Sequence, residues 1–178
     1  MAYDKILVIH ARLDKRINYA LNEAKTFRTE NGQILQTAIN CQLDTAFWDM
    51  LQAKRRWDKE NRPIQGYHII HSFSPGEVTP EQAHLIGLEL AQRLWGERFE
   101  VVVSPHLNTG VIHNHFVLNS VSCVDGLRYC DNKKTYAQIR RASDELCREH
   151  TLSVITQENG RSAHYKEWMA DHAGERTW

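Results

Sequence analysis

Two apolar stretches, FEVVVSP at 99–105 and IHNHFVLNSVSC at 112–123, are separated only by a short segment around Asn108-Thr109-Gly110. Their branched and aromatic content reads as strands. The segment between them is too short for the crossover that parallel neighbours require, so a hairpin is the economical connection. Two adjacent strands without an intervening helix exclude a simple doubly wound parallel sheet. Elsewhere strands are expected over 3–10, 33–40 and 66–73 and near 152–156, and helices over about 15–24, 44–59, 79–95 and 134–149. A further helix begins within 161–172. Asp14 and Asp44 are the expected openers of the first two helices, with Ile17, Ala20, Leu21 and Ala24 inward in the first, and Phe47, Leu51 and Trp48 inward in the second. Thr79-Pro-Glu-Gln combines a cap, a first-turn proline and an early acid, and Gly96 ends that helix. The order predicts an α+β fold, a largely antiparallel central sheet with flanking helices.

With 178 residues, the chain is expected to be a single domain. Apolar and charged fractions of 42% and 25% are those of a globular protein. No apolar run approaches the roughly 20 residues of a membrane span, and basic residues interrupt the N-terminal apolar patch too soon for a signal peptide. Cys41, Cys123, Cys130 and Cys147 show no CxxC pairing, which points to reduced thiols in a cytoplasmic protein. The 22 basic and 22 acidic residues cancel, and that balance alone argues against a highly basic nucleic-acid binder. The neutrality is uneven, however: the net charge is +3 over residues 1–66, −4 over 67–127, +3 over 128–166 and −2 over 167–178.

The acidic middle carries the densest histidine cluster, His106-Leu-Asn-Thr-Gly-Val-Ile-His113-Asn-His115. Residues two apart on a strand face the same side, so His113 and His115 project together, and His106 can meet them across the hairpin. Three imidazoles from two strands form a facial ligand set that leaves positions open on a divalent metal, as a catalytic site requires. His68 and His71 are three apart and face opposite sides, so at most one can serve the site. His84 is expected on an exposed helix face.

The H-x6-H-x-H run resembles the metal motif of the HUH endonuclease superfamily. Three segments together resemble conjugative relaxases of the mobilisation-nuclease (MOBP-like) type. Ile17-Asn18-Tyr19-Ala20-Leu21-Asn22-Glu23-Ala24-Lys25-Thr26 is similar to the family's Tyr-x-x-Asn-x-x-Lys-Thr motif. His71-Ser72-Phe73-Ser74-Pro75-Gly76-Glu77 precedes the Thr-Pro-Glu helix, and His106 to Asn119 completes the set. The resemblance covers about residues 3–178, and implies an HUH palm-like fold and a single catalytic domain over 1–178 cut from a longer protein.

The implied activity is site- and strand-specific nicking and religation of DNA at a transfer origin, through a 5′-phosphotyrosine. Tyr19 would be the nucleophile, with Asn22, Lys25 and Glu77 as further catalytic candidates. A phenol holds its proton at neutral pH, so it must be deprotonated or held close to a cation as it attacks. His106, His113 and His115 would hold that cation, Mn or Mg with Zn as a third option, and it would absorb charge developing on the phosphate. Asn108 stands where many relatives carry an acid; an amide can orient a histidine but cannot accept its proton. The implied partners are single-stranded DNA with an adjacent hairpin, accessory relaxosome proteins and a coupling protein, in a bacterial cytoplasm. Phosphate contacts are expected from Lys25, Arg28, Lys54, Arg55 and Arg56 in the first basic flank. The second flank offers Lys133, Lys134, Tyr136, Arg140 and Arg141, with both flanks forming one DNA surface. The alternatives are a replication-initiator nuclease of the same superfamily and a non-catalytic DNA-binding module with a structural metal.

Overall fold

The computed structural model describes residues 2–26, 28–108 and 110–154. Five strands form one sheet in the order β1-β3-β5-β4-β2: β1 (Tyr3–Ile9), β2 (Thr37–Ile39), β3 (Gly66–Ser72), β4 (Val101–His106) and β5 (His113–Asn119). Every neighbouring pair is antiparallel. The expected hairpin is β4–β5, with His106 opposite His113 and Ser104 opposite His115. The sheet is α+β in the sense predicted, with helices on both faces.

Strand parity divides the core. Ile69, Val101, Val103, Phe116 and Leu118 point to one face and pack beneath α3 (Pro80–Trp95) and α4 (Lys133–Glu149), against Ile86, Leu90, Trp95, Ile139 and Leu146. Val102 and Val117 point to the other face and meet Leu13, Ile17 and Ala20 of α1 (Leu13–Ala20) and Met50 of α2 (Ala46–Arg56). The β5 histidines share the parity of Val117, so they belong to the α1–α2 face.

Thr79 caps α3 as expected: it accepts from Gln82 N at 3.2 Å while Gln82 Oε1 accepts from Thr79 N at 3.0 Å. Gly96 follows the last turn in a right-handed conformation. The other two helix starts differ from expectation. Arg12, with φ 56°, is the N-cap of α1 and Thr45 that of α2. Asp14 instead lies in the first turn of α1 and accepts from Arg12 Nε at 3.1 Å and Nη2 at 2.8 Å. The first helix also ends at Ala20 rather than 24, because the Asn22 side chain accepts from Ala24 N at 3.0 Å and its carbonyl from Lys25 N at 2.9 Å. That local turn competes with the helix, and it leaves Ala24 exposed. Residues 33–36 are not strand: a turn through Gly32, φ 80°, folds them back so that Ile34 bridges Arg28. Trp48 points outward at 60% exposure. Residues 152–154 form no strand, and the rest of that expected strand and the helix of 161–172 lie outside the described residues.

Candidate metal centre and active site

At the hairpin end of the α1–α2 face, His106, His113 and His115 bring one ligand atom each within 4.8 Å of one another. The His106 and His115 ring centroids are 4.1 Å apart, and those of His113 and His115 4.8 Å. Burial pushes His106 down to about 4 and His115 to about 2, and also lowers His113. Neutral imidazole is the form that binds metal. Two tautomers follow from carbonyl partners, which can only accept. His106 donates through Nε2 to Ala20 O at 2.9 Å, and His113 through Nδ1 to Val111 O at 2.9 Å. His106 Nδ1 and His115 Nε2 are buried and have no hydrogen-bond partner among the described residues. Buried lone pairs without partners, on rings whose other nitrogen is held, fit a divalent cation.

Tyr19, on the last turn of α1, lies against this cluster and is 39% exposed. Its centroid is 5.4 Å from that of His115, 5.6 Å from His106 and 6.1 Å from His68. Lys25 Nζ sits 3.9 Å from the Tyr19 centroid, a cation–π contact. The loop that carries Lys25 is tied to the hairpin, since Leu107 N donates to Lys25 O at 2.9 Å. Ser104 Oγ also donates to Thr26 Oγ1 at 3.3 Å. Asn22 shapes the turn after α1, and so places Lys25 without reaching the histidines itself.

Of the β3 histidines, His68 is the one on this face: its Nε2 lies 2.6 Å from His115 Nδ1. His71 faces α4, with Ser143 Oγ 3.2 Å from its Nε2. His84 is half-buried, not exposed, with Nε2 2.8 Å from Thr37 Oγ1.

Several expected site residues lie elsewhere. Glu77 does not approach the histidines: its carboxylate accepts from Ser153 N at 2.6 Å, just beyond α4 on the opposite side of the sheet. Lys54 is 1% exposed, and burial lowers its ammonium to about 8 despite the opposing charge of Glu100, so it cannot meet a phosphate. Arg28 is engaged with Glu23 at 3.1 Å, while Arg55 and Arg56 are exposed on α2. The second flank belongs to α4, which covers the other face. Tyr136 donates to Asp4 O at 3.0 Å and Arg140 pairs with Asp4 at 3.3 Å, so both anchor the helix to β1. Lys133, Lys134 and Arg141 are exposed there. The two basic flanks therefore do not make one surface around the histidines, because hairpin parity sends the histidines one way and α4 packs the other. Arg16, which sequence reasoning missed, is exposed one turn before Tyr19; the His68 imidazole is lowered first by its burial and then by the Arg16 charge. Its i, i+3 spacing from Tyr19 was the available signal.

The central hairpin of an antiparallel sheet thus brings three histidines beside a helix tyrosine. The family model for Relaxase, described as MobA/VirD2-like, nuclease domain, matches residues 19–152, and the chain belongs to that family. Among curated relatives, a Protein rlx of Staphylococcus aureus is 38% identical over 140 residues, 79% of this chain and 41% of its own length. A second Protein rlx is 32% identical over 164 residues, 92% of this chain and 46% of its own. The group II intron-interrupted relaxase LtrB of Lactococcus lactis is 28% identical over 126 residues, 62% of this chain and 22% of its own. The chain thus spans less than half the length of these relatives. In fold it is similar to the MobM relaxase domain (MOBV; Mob_Pre), solved Mn-bound and with plasmid pMV158 oriT DNA. The TM-score is 0.58 at 13% identity, covering 96% of this chain and 98% of that one. A structure described under vancomycin resistance transfer in Staphylococcus aureus gives a TM-score of 0.57 at 14% identity, covering 90% and 100%.

Proposed function

We propose that this chain nicks and religates one strand of DNA at a transfer origin, with Tyr19 as the nucleophile. The observation that carries the reading is the exposed Tyr19 ring packed over the histidine cluster, 5.4 Å from His115 and 5.6 Å from His106. In the reaction the phenolic oxygen bonds to phosphorus as the bond from phosphorus to the 3′ oxygen breaks. The phenolic proton leaves, and the 3′ oxygen takes one up. A covalent phosphotyrosine conserves the bond for religation, which water as nucleophile would forfeit. Tyr19 supplies the nucleophile from a rigid helix end, and Lys25 holds positive charge beside it. The Asn22 turn fixes where that lysine stands.

His106, His113 and His115 would hold a divalent ion, Mn or Mg, and MobM in its Mn-bound form supports that choice. Such an ion supplies charge stabilisation at a phosphate oxygen. The proposed substrate is single-stranded DNA continuing into an adjacent hairpin, met by Arg16 and Lys25 beside the histidines and by Arg55 and Arg56 of α2 toward the other end of the strands. Accessory relaxosome proteins and a coupling protein complete the proposed assembly, in a bacterial cytoplasm. No helix among the described residues is long and apolar enough to cross a membrane. The domain is proposed as the catalytic part of a longer protein.

The test is a single-stranded origin oligonucleotide incubated with the protein and Mn²⁺. A covalent adduct mapped by mass spectrometry to Tyr19 is expected, and Tyr19→Phe should bind the oligonucleotide without forming it. An adduct at parental level in Tyr19→Phe would overturn the assignment.

A further inference from the structure

The three clustered imidazoles are not held alike. His106 and His113 each donate to a backbone carbonyl, Ala20 O and Val111 O, both at 2.9 Å. A carbonyl can only accept, so those two tautomers are dictated by the backbone. His115 has no carbonyl: its Nδ1 faces the Nε2 of His68 at 2.6 Å, with both residues buried. A neutral imidazole can donate or accept. Two arrangements of the pair are therefore available; His115 Nε2 and His68 Nδ1 are both buried without a partner among the described residues, so each arrangement leaves one N–H unpaired, and only one leaves a lone pair on His115 Nε2. In that arrangement His115 donates from Nδ1, His68 accepts at Nε2, and the His68 proton resides on Nδ1. In the other arrangement His68 donates, and the His115 proton moves to Nε2 and blocks it.

We infer that His68 is a positioning residue that sets the tautomer of His115 and so decides whether the third ligand is available. The inference rests on the metal reading above and deepens it. Asn108 is exposed. The orienting contact comes instead from the neighbouring strand β3, across the register that sets His68 against Val117. The choice of imidazole has a chemical consequence: it places no negative charge beside the ligand, so a divalent ion held there keeps more of its charge for a phosphate.

The test compares the parent with His68→Leu, His68→Gln and His115→Ala. Nitrogen-15 spectra of the metal-free imidazoles read the tautomer directly, and Mn²⁺ titration followed by electron paramagnetic resonance reads affinity. The parent is expected to carry the His115 proton on Nδ1, and His68→Leu to shift it toward Nε2 and weaken Mn²⁺ binding by about 10- to 100-fold. His68→Gln, whose amide oxygen accepts, should stay within a few-fold of the parent. Thermal melts of the metal-free proteins separate a misfolded variant from a folded one. An unchanged His115 tautomer in folded His68→Leu, or Mn²⁺ affinity within twofold of the parent, overturns the inference. So does a His68→Gln as weak as His68→Leu, which would reduce His68 to packing. A parent that binds no Mn²⁺ and matches His115→Ala would instead remove the metal reading itself.

Discussion

Gly87 offers a test of how the far face of the sheet supports the histidines. It lies in α3, where a glycine-to-alanine exchange on an open helix face stabilises by about 1 kcal/mol. Here the added Cβ would stand 2.5 Å from Asn114 Nδ2 and 2.8 Å from its Cγ. Asn114 cannot step aside freely: it is fully buried, and its Nδ2 donates to Ala83 O at 2.6 Å. Overpacking costs about 1–3 kcal/mol, and losing the buried hydrogen bond about 1–3 kcal/mol more. Set against the helix gain, Gly87→Ala should destabilise by roughly 1–5 kcal/mol. Each kcal/mol lowers the melting temperature of a chain this size by about 2–4 °C. Asn114 is the residue between His113 and His115, so the same substitution should weaken Mn²⁺ binding. Urea unfolding of the parent, Gly87→Ala, Asn114→Ala and the double variant forms a cycle. In the Asn114→Ala background, Gly87→Ala should turn from a loss into a gain of about 1 kcal/mol. A Gly87→Ala protein more stable than the parent, with Asn114 intact, would refute the close contact and the packing argument built on it.

Other consequences can be checked in solution. Burial lifts the Asp4 carboxyl to about 7, against the lowering effects of Arg140 and Ser143. Its folded form thus holds a proton that the unfolded chain releases near pH 4, so its stabilising contribution is complete below pH 4 and disappears as pH rises through 7. The window amounts to as much as roughly 4 kcal/mol. It should appear as the pH-dependent difference in urea stability between the parent and Asp4→Asn, a subtraction that cancels the buried histidines, whose depressed values act with the opposite sign. Arg16→Ala should weaken oligonucleotide binding and reduce its logarithmic salt dependence by about one. Lys54→Met should leave both unchanged, and a salt slope altered by it would contradict its burial. Mn²⁺ at a hundredfold excess over its Kd should stabilise the fold by about 2.7 kcal/mol, measured by thermal shift. His113→Ala combined with His115→Ala should abolish that gain.

The legible parts of the fold were those encoded by neighbours in the chain. The hairpin followed from the spacing of two branched segments, and the α3 start from Thr79 to Gln82, where cap, proline and box residues act within one turn. The helix ends that periodicity misplaces have local causes of a finer kind. The Asn22 side chain closes a turn that periodicity alone carries straight through, and Arg12 rather than Asp14 takes the cap position. At the site, Tyr19 and Lys25 came from a motif, but their stacking depends on the Leu107–Lys25 hydrogen bond, which joins segments far apart in sequence. Lys54 looked like one member of a basic run. Its burial reflects helix rotation, with Ala46, Met50 and Ala53 turned to the sheet and Lys54 beside them.

What the chain determined by itself is the pairing of His113 with His115, since a strand's two-residue repeat comes from covalent geometry and holds wherever the strand lies. The reach of His106 to that pair is nearly as local, because a short loop admits only antiparallel return. Tertiary structure alone decided which β3 histidine joins them. His68 and His71 point to opposite faces in any strand; the β3–β5 register, which sets His68 against Val117, gives His68 to His115, and the packing of α4 on the other face gives His71 to Ser143. It also separated the basic flanks that the linear sequence set symmetrically about the histidines. A helix chooses its face by where its apolar side can be buried, and that depends on the whole sheet rather than on its own residues.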